Sequence, residues 1–428
     1  MFTIIKAASG TGVRLGRLAL PGRKPIATPH YLATTSRGVV PHLTQDTFVS
    51  ATNINGVYVG LEDCKLDLRP CHPDALLTAA PFTNPNTNET VAVSTVVGFK
   101  SLPADDYANA VEKLQADVVI GIGDIPYGRA LGHKRIEKAT DRNIKWMQSH
   151  VALREGSSDS IKQARLFAPL LPVSCANQQF YVDSLVQDLA GDISGLAIYD
   201  LSSLMDLPET LRHLPRLGFT TPSTPQDILR HISLGIDVLT IPFVSTATDA
   251  GIALDFNFSA LQQASAELEL NAPIPLGIDM WQSTHAADLS PLVESCECYT
   301  CTNHHRAYVQ HLLVAKELLG WVLLQIHNHH TIELLFTSIR RSLAVGTFTQ
   351  DVERFGRVYE SHLPEKSGQG PRVRGYQFKS NGPSEAKKNK SAFTKLDESL
   401  EKLAHSPLPR AHADAGQLEE QGFAEKTR

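Results

Sequence analysis

Cys296-Glu297-Cys298-Tyr299-Thr300-Cys301 puts three of the chain's six cysteines within six positions, and His327-Asn328-His329-His330 follows at the end of a segment with helical character. Thiolates and an imidazole at this spacing can close a tetrahedron around Zn²⁺. Three cysteines with one histidine, no carboxylate and no vacant position is the usual composition of a structural site rather than a catalytic one. Three neighbouring thiolates cover only one side of a cation, so the fourth donor has to return from elsewhere. The spacing is C-x-C-x2-C-x25-H if His327 supplies that donor. On spacing alone His329 and His330 are rivals, and any of the three histidines can instead be a solvated or capping residue. Polar neighbours such as Glu297 set these cysteines apart from a chance run of reduced thiols in apolar sequence.

Upstream of the cluster a short apolar strand followed by a helix with charged edges recurs. Val91 to Val97 is strand-like and Pro103 to Gln115 helical; Asp117 to Gly123 is a strand and Arg135 to Leu153 a helix. The pairs Arg165–Leu170 with Gln178–Leu189, Ile193–Ile198 with Leu204–Leu211, and Arg216–Phe219 with the segment from Thr224 to Ser233 continue the pattern, and Asp237 to Ile241 adds a further strand. Thr224-Pro225-Gln226-Asp227 carries an N-cap, a first-turn proline and an early acid in the right order to open its helix. Strands alternating with helices at this period predict parallel strands joined by helical crossovers. No glycine-rich nucleotide fingerprint opens any of the helices, which favours a closed barrel over an open doubly wound sheet. Before the repeat, Gly10, Gly12, Gly16 and Gly22 separate short apolar pieces between Thr3 and Thr28, the pattern of hairpins capping a larger domain. The expected fold is therefore α/β, a TIM-type (β/α)8 barrel with N-terminal antiparallel strands and an inserted zinc-binding helical subdomain.

Downstream, Arg306 to Leu324 reads as one helix with an apolar stripe of Tyr308, Leu312, Ala315, Leu319 and Leu323. Thr331 to Leu343 and Thr347 to Tyr359 read as two more helices. Apolar density collapses after His362, which divides the chain into a barrel over 1–360, including a zinc-binding segment over 289–345, and a mostly disordered tail over 361–428. That tail holds 12 Lys and Arg against 9 Asp and Glu, a net of +3, leaving −8 on residues 1–360 of a chain whose total is −5. An acidic body meets RNA only through a local basic face or a partner that supplies one. Cys64, Cys71 and Cys175 are scattered, which points to a reducing compartment rather than a disulfide framework. The apolar runs are strand-sized, so no membrane span is expected.

Cys296 to Cys301, then His304-His305-Arg306-Ala307-Tyr308, Lys316-Glu317-Leu318-Leu319-Gly320 and His327-Asn328, resembles the zinc segment of the tRNA-guanine transglycosylases, zinc-containing (β/α)8 enzymes that exchange a guanine in tRNA for a deazaguanine. The similarity runs back through Arg216-Leu-Gly-Phe219 and Gly235-Ile-Asp237 and covers most of residues 20 to 355. It implies one structural Zn²⁺ held by Cys296, Cys298, Cys301 and His327. The family's reaction does not carry over with it. Catalytic members attack the ribose with the second aspartate of a Gly-Val/Ile-Asp-Met-Phe-Asp-Cys motif, and Gly235-Ile-Asp237-Val-Leu-Thr240-Ile places Thr240 at that position. A threonine hydroxyl lacks the standing charge of a carboxylate, and the sequence offers no evident base to activate it. The Asp-Ser-Gly-Gly-Phe-Gln segment has no counterpart in Thr90 to Lys100. The base-reading Gln-Gly-Gly is replaced by Pro169-Leu-Leu-Pro172-Val-Ser174, and the next Gly-Gly by Tyr199-Asp200; Asp124 is the one acid left near the pocket mouth.

An intact metal motif beside a dismantled pocket is similar to the non-catalytic members of the family, and Arg37-Gly38-Val-Val-Pro41-His42-Leu-Thr44 looks like their Gly-x-x-Pro-His-Leu-Thr signature. The resemblance implies a heterodimer with the catalytic subunit of queuine tRNA-ribosyltransferase, contact with tRNA through that complex, and support of guanine-for-queuine exchange at the wobble position. It also implies a cytoplasmic location with peripheral contact at the mitochondrial outer membrane. Two alternatives stand against it: an active transglycosylase with a relocated acid, Asp237 or Asp249, and a zinc-dependent barrel hydrolase, which would want His and Asp ligands spread over several strand ends and a metal position open to water.

Overall fold

The structure, a computed structural model, describes residues 2–7, 12–36, 38–61, 86–95, 98–125, 132–155, 164–258 and 273–371. The chain opens with three antiparallel strands, β1 (Phe2–Ala7), β2 (Arg14–Leu18) and β3 (Ile26–Thr28), in the order β1-β2-β3. These are the hairpins that the early glycines predict. β4 (His30–Thr34) then leads through α1 (Gln45–Ala51) to β5 (Val57–Tyr58).

The strand expected over Val91 to Val97 as part of the repeat is instead β6 (Thr90–Thr95), paired antiparallel with β7 (Gly98–Pro103) outside the parallel sheet. The apolar character of the segment is legible in the sequence, but its partner strand is not. The strand–helix repeat begins after it: α2 (Ala104–Lys113), β8 (Val118–Ile120), α3 (His133–Glu155), β9 (Arg165–Leu170), α4 (Gln179–Gln187), β10 (Gly195–Ile198), α5 (Glu209–Arg212), β11 (Arg216–Gly218), α6 (Pro225–Ser233) and β12 (Val238–Thr240). The start of α6 is as the sequence predicts, with Thr224 Oγ1 accepting the Asp227 N–H at 3.2 Å and Pro225 in the first turn.

Seven strands form one sheet in the order β5-β4-β12-β11-β10-β9-β8, every pairing parallel. The last strand of the repeat, β12, pairs with β4 from before it, as closing a barrel requires. The curl shows in the packing. Phe167, Leu217 and Val238 share one cluster with Leu32, Val118 and Ile120, so side chains from β4, β8, β9, β11 and β12 meet on the inner face. A flat sheet at ~4.8 Å per strand would separate β8 from β4 by ~24 Å, beyond the reach of these side chains. Gly195 on β10 makes room for this cluster, because a Cβ there would lie 2.5 Å from the Phe167 ring. The outer face packs its buried Val, Leu and Ile against the helices in the principal core.

Beyond β12 come α7 (Phe243–Ala250), β13 (Ile252–Leu254) and β14 (Gly277–Asp279), the last two paired antiparallel. The cysteine cluster follows, in and before α8 (Tyr299–Asn303), then α9 (Arg306–Val314), α10 (Leu318–Val345) and α11 (Phe348–Val358). The single helix expected over 306–324 is broken. Lys316 adopts φ +59, and α10 starts afresh at Leu318 and runs 28 residues, absorbing the helix expected from Thr331. The break turns the expected stripe apart: Leu312 and Leu323 are buried, while Ala315 and Leu319 are exposed. Gly320 lets the two helices approach, with its missing Cβ 3.2 Å from Leu312 and Leu313 atoms. Cys298, Cys301, Leu312, Leu313, Trp321 and Leu324 belong to a second hydrophobic cluster, separate from the barrel's own.

The chain stays bonded to the body beyond residue 360. Glu360 N–H donates to Ile274 O at 2.9 Å, the Ser367 hydroxyl to Asp279, and Lys316 Nζ to Gln369 Oε1 at 2.7 Å. The expected tail from residue 372 onward lies outside the described residues.

Candidate metal centre and barrel mouth

Two elements far apart in sequence build the cysteine site. Ser295, in the left-handed region at φ +62, turns the chain so that Cys296 and Cys298 face inward, and Cys298 caps α8 by accepting the Cys301 N–H at 3.3 Å. The Thr300 hydroxyl ties α8 to α10 through Leu323 O at 2.7 Å. From α10, fully buried His327 presents Nδ1 at 3.6, 3.5 and 3.4 Å from the sulfurs of Cys296, Cys298 and Cys301. A tetrahedral Zn²⁺ with bonds near 2.3 Å to sulfur and 2.05 Å to nitrogen sets S···N at ~3.6 Å, so the four donors already stand at the separation that this ion needs. All four donor atoms lie within 4.8 Å of one another, and among the described residues this is the one cluster of metal-ligand type.

The electrostatics suit a site for a cation. Hydrogen bonds from Cys298 and Cys301 push the Cys296 thiol far down, and the same contacts push Cys298 up, because three thiolates cannot share so small a space without positive charge. Burial would lower His327, but the adjacent thiolates outweigh it and raise the imidazole to about 10. A cation among the sulfurs would take over that role and leave the ring neutral. Nε2 of His327 meets Leu254 O at 2.9 Å, which places the ring proton on Nε2 and frees Nδ1 as a ligand atom. The rivals are placed elsewhere. His329 is buried against Tyr31, ring centroids 6.0 Å apart, with Nε2 on Gln325, and burial lowers it to about 3. His330 is half-buried and lies outside the set of four.

At the carboxyl ends of the strands the picture is different. Thr240 closes β12, buried, with its hydroxyl donating to Gly218 O at 3.2 Å. Asp124, just past β8, is fully buried and bound by Arg135 at 2.5 and 2.7 Å, Arg142 at 2.7 Å and Asn86 at 2.6 Å. Burial would raise its carboxyl, but these donors outweigh it and hold it below the usual carboxylate range, unsuited to take a proton. Asp237 sits at the other end of β12, in a two-point pair with Arg14 at 2.8 and 2.5 Å, and also accepts the Arg216 N–H at 2.7 Å. Asp249 on α7 is bonded to His42 Nε2 at 2.6 Å. The segment from Pro169 is held shut by Gln178, whose amide bonds both the N–H and the C=O of Leu171 at 2.9 and 3.1 Å. Beside these strand ends Phe219 meets Tyr58 edge-on, with centroids 5.0 Å apart, and stacks on Tyr199 at 5.2 Å.

A family model described as TGT, queuine tRNA-ribosyltransferase, matches residues 77–361. The chain belongs to the queuine tRNA-ribosyltransferase family. It is 35% identical over 431 residues to the queuine tRNA-ribosyltransferase accessory subunit 2 of Schizosaccharomyces pombe, across 93% of either chain. Proteins of the same name from Drosophila mojavensis and Gallus gallus are 28% and 26% identical, over 80% and 79% of this chain and 89% and 93% of their own length. For a queuine tRNA-ribosyltransferase fold, the resemblance assigns the nucleophile to the position of Thr240, and the structure gives that hydroxyl a backbone partner instead. Of the signature segment, Thr44 caps α1 by accepting the Thr47 N–H at 3.2 Å, and His42 adopts φ +63 to reach Asp249. Arg37 lies outside the described residues. Sequence reasoning missed Gln178, the Leu254 carbonyl and Asp255. Burial pushes the Asp255 carboxyl up beside His327, Arg306 and Cys296. None of these carries a spacing signal, because each acts through a backbone group or a contact distant in sequence.

Proposed function

We propose that this chain is the non-catalytic accessory subunit of a heterodimeric queuine tRNA-ribosyltransferase, and that it supports exchange of guanine for queuine at the wobble position of tRNA anticodons. The observation that carries this reading is Thr240, a hydroxyl bonded to Gly218 O where the reaction needs a free carboxylate. The nearby acids do not replace it: Asp124 is neutralised by two arginines, Asp237 lies at the opposite strand end under Arg14, and Asp249 is held by His42. The names of its relatives agree with the accessory role.

In this reading Cys296, Cys298, Cys301 and His327 hold one Zn²⁺. A closed set of four donors without carboxylate gives the ion a structural role, clamping α8 to α10, and does not favour a hydrolase. The pairing surface lies on the helices that the metal fixes. Val314, Leu318 and Leu319 are 55%, 63% and 42% exposed around the turn between α9 and α10, an apolar edge suited to a second subunit. With eight excess negative charges on residues 1–360, the chain contacts tRNA through the assembled pair. No described helix is long and apolar enough to cross a membrane. Cytoplasmic location, with peripheral contact at the mitochondrial outer membrane, belongs to the same proposal.

Thr240→Ala is expected to leave base exchange by the assembled complex at the wild-type rate. Thr240→Asp creates no activity in the isolated chain, since Asp124 and the Pro169–Ser174 segment are unchanged. An RNA adduct trapped on the isolated chain and lost in Thr240→Ala would overturn the reading.

A further inference from the structure

His327 and Asn328 are adjacent on α10, and both end on the same residue of β13. Leu254 O accepts from His327 Nε2 at 2.9 Å, and Leu254 N–H donates to Asn328 Oδ1 at 2.8 Å. The other end of the Asn328 amide donates to Thr248 Oγ1 at 2.9 Å and Ile252 O at 3.0 Å. Asn328 and Thr248 are both fully buried.

β13 is three residues long, with β14 as its strand partner. A strand this short, paired on one edge, does not fix its carbonyls by itself, and the edge facing α10 is held by side chains. The Asn328 amide fits the peptide edge of Leu254 and Ile252 as a third strand would, one acceptor and one donor in register. Its second donor hydrogen is anchored on α7 through Thr248. Nothing in the packing alone requires asparagine here, because a leucine of similar volume would suit an apolar interior better than an amide that has to satisfy three partners.

We propose that Asn328 is a positioning residue for the metal ligand His327, acting through the backbone of Leu254: it holds the N–H of the residue whose carbonyl orients the imidazole. The inference rests on the metal reading given above. Removing Asn328 leaves the Leu254 N–H without its acceptor and loosens the backbone on the amino side of Leu254, while Asp255 N–H stays on Leu276 O at 3.0 Å and Thr331 Oγ1 stays 3.5 Å from Leu254 O. The His327 ring then loses its aim even though all four donors remain in the sequence. Partners bonded directly to a metal ligand change affinity by ~10–100-fold when lost, which sets the upper bound for a residue one bond further out.

The test uses the full chain loaded with Zn²⁺, with affinity measured by competition against a chromophoric chelator, and the chain loaded with Co²⁺ for its visible absorption. Asn328→Ala is expected to weaken Zn²⁺ by up to ~100-fold and to shift the Co²⁺ d–d bands while the thiolate charge-transfer bands stay. Thr248→Val removes the anchor of the amide together with the hydroxyl's own bond to Val244 O, leaves Asn328 on Leu254, and is expected to weaken the metal in the same direction by less. Ser342→Ala, which loses the Asp351 bond at 2.5 Å on the far part of α10, serves as the control: it lowers thermal stability and leaves metal affinity unchanged. Wild-type affinity and spectra in both Asn328→Ala and Thr248→Val would overturn the inference while leaving the metal reading intact. If Asn328→Ala does not fold, Thr248→Val decides. A wild-type chain that takes up neither ion sinks the metal reading and this inference with it.

Discussion

Cys298→Ser and His327→Ala are each expected to strip Zn²⁺ from the chain and to unfold the helices from α8 through the start of α10. Binding at structural sites is worth ~10–16 kcal/mol in zinc-finger peptides, as large as the whole stability of an ordinary domain. The cluster here gives a clear physical route to that cost. Its sulfurs stand 3.4 to 3.6 Å from one imidazole nitrogen, so without a cation the site holds negative charges against each other in a buried space. Cys298 and Cys301 are also part of the second hydrophobic cluster, and losing the tether exposes Leu312, Leu313 and Trp321. The specificity of the assignment is checked by its neighbours: His329→Ala and His330→Ala should retain one Zn²⁺ per chain, measured by metal analysis after desalting. Acid releases the ion as protons compete for the thiolates. A metal-free wild type, or retention of Zn²⁺ by His327→Ala with loss in His330→Ala, would contradict the site.

Arg14→Ala should destabilise the chain by ~3–5 kcal/mol, because it takes the paired guanidinium from the buried Asp237 carboxylate and leaves only the weaker field and the N–H of Arg216. Arg14 is 6% exposed and Asp237 fully buried, and the guanidinium also donates to Arg212 O and Leu214 O. The pair pins β2, in the antiparallel cap, to the amino end of β12, in the barrel. Gly235 belongs to the same joint: it precedes β12 at φ +101, and a Cβ there would stand 2.6 Å from Gly12 O. The double variant Arg14→Ala/Asp237→Ala should be less destabilised than the sum of the two single changes, since the orphaned charge is gone, while metal content stays at the wild-type level. Denaturant unfolding of the four proteins reads this directly. Additive losses would mean that the pair does not act as a unit.

How much could be read in advance depended on the range of the signal. The Cys296–Cys301 cluster, the α6 start at Thr224-Pro225 and the strand–helix period are local patterns, and the structure has them where the residues indicate, except that the helix expected over Leu204–Leu211 shrinks to Glu209–Arg212. The place of Thr240 was legible because it lies within a quoted motif, but its bond to Gly218 O was not. Failures came where tertiary packing overrode propensity. Nothing in Ala315-Lys316-Glu317 marks a helix stop, yet α9 has to end there so that α10 can bring His327 to the thiols. Val91 to Val97 reads as a strand of the repeat, yet β6 pairs with β7 instead of entering the parallel sheet, and apolar character alone does not distinguish the two. Distance in sequence hides the partner of Asp237, which lies 223 positions away in β2.

Base exchange is the most direct test of the accessory role. Labelled queuine or guanine incorporation into tRNA would be measured with this chain alone, with a catalytic queuine tRNA-ribosyltransferase subunit alone, and with both at equal micromolar concentration. The account predicts no incorporation by this chain, little by the catalytic subunit, and full activity from the pair. Incorporation by this chain alone, or equal rates with and without it, would contradict that claim.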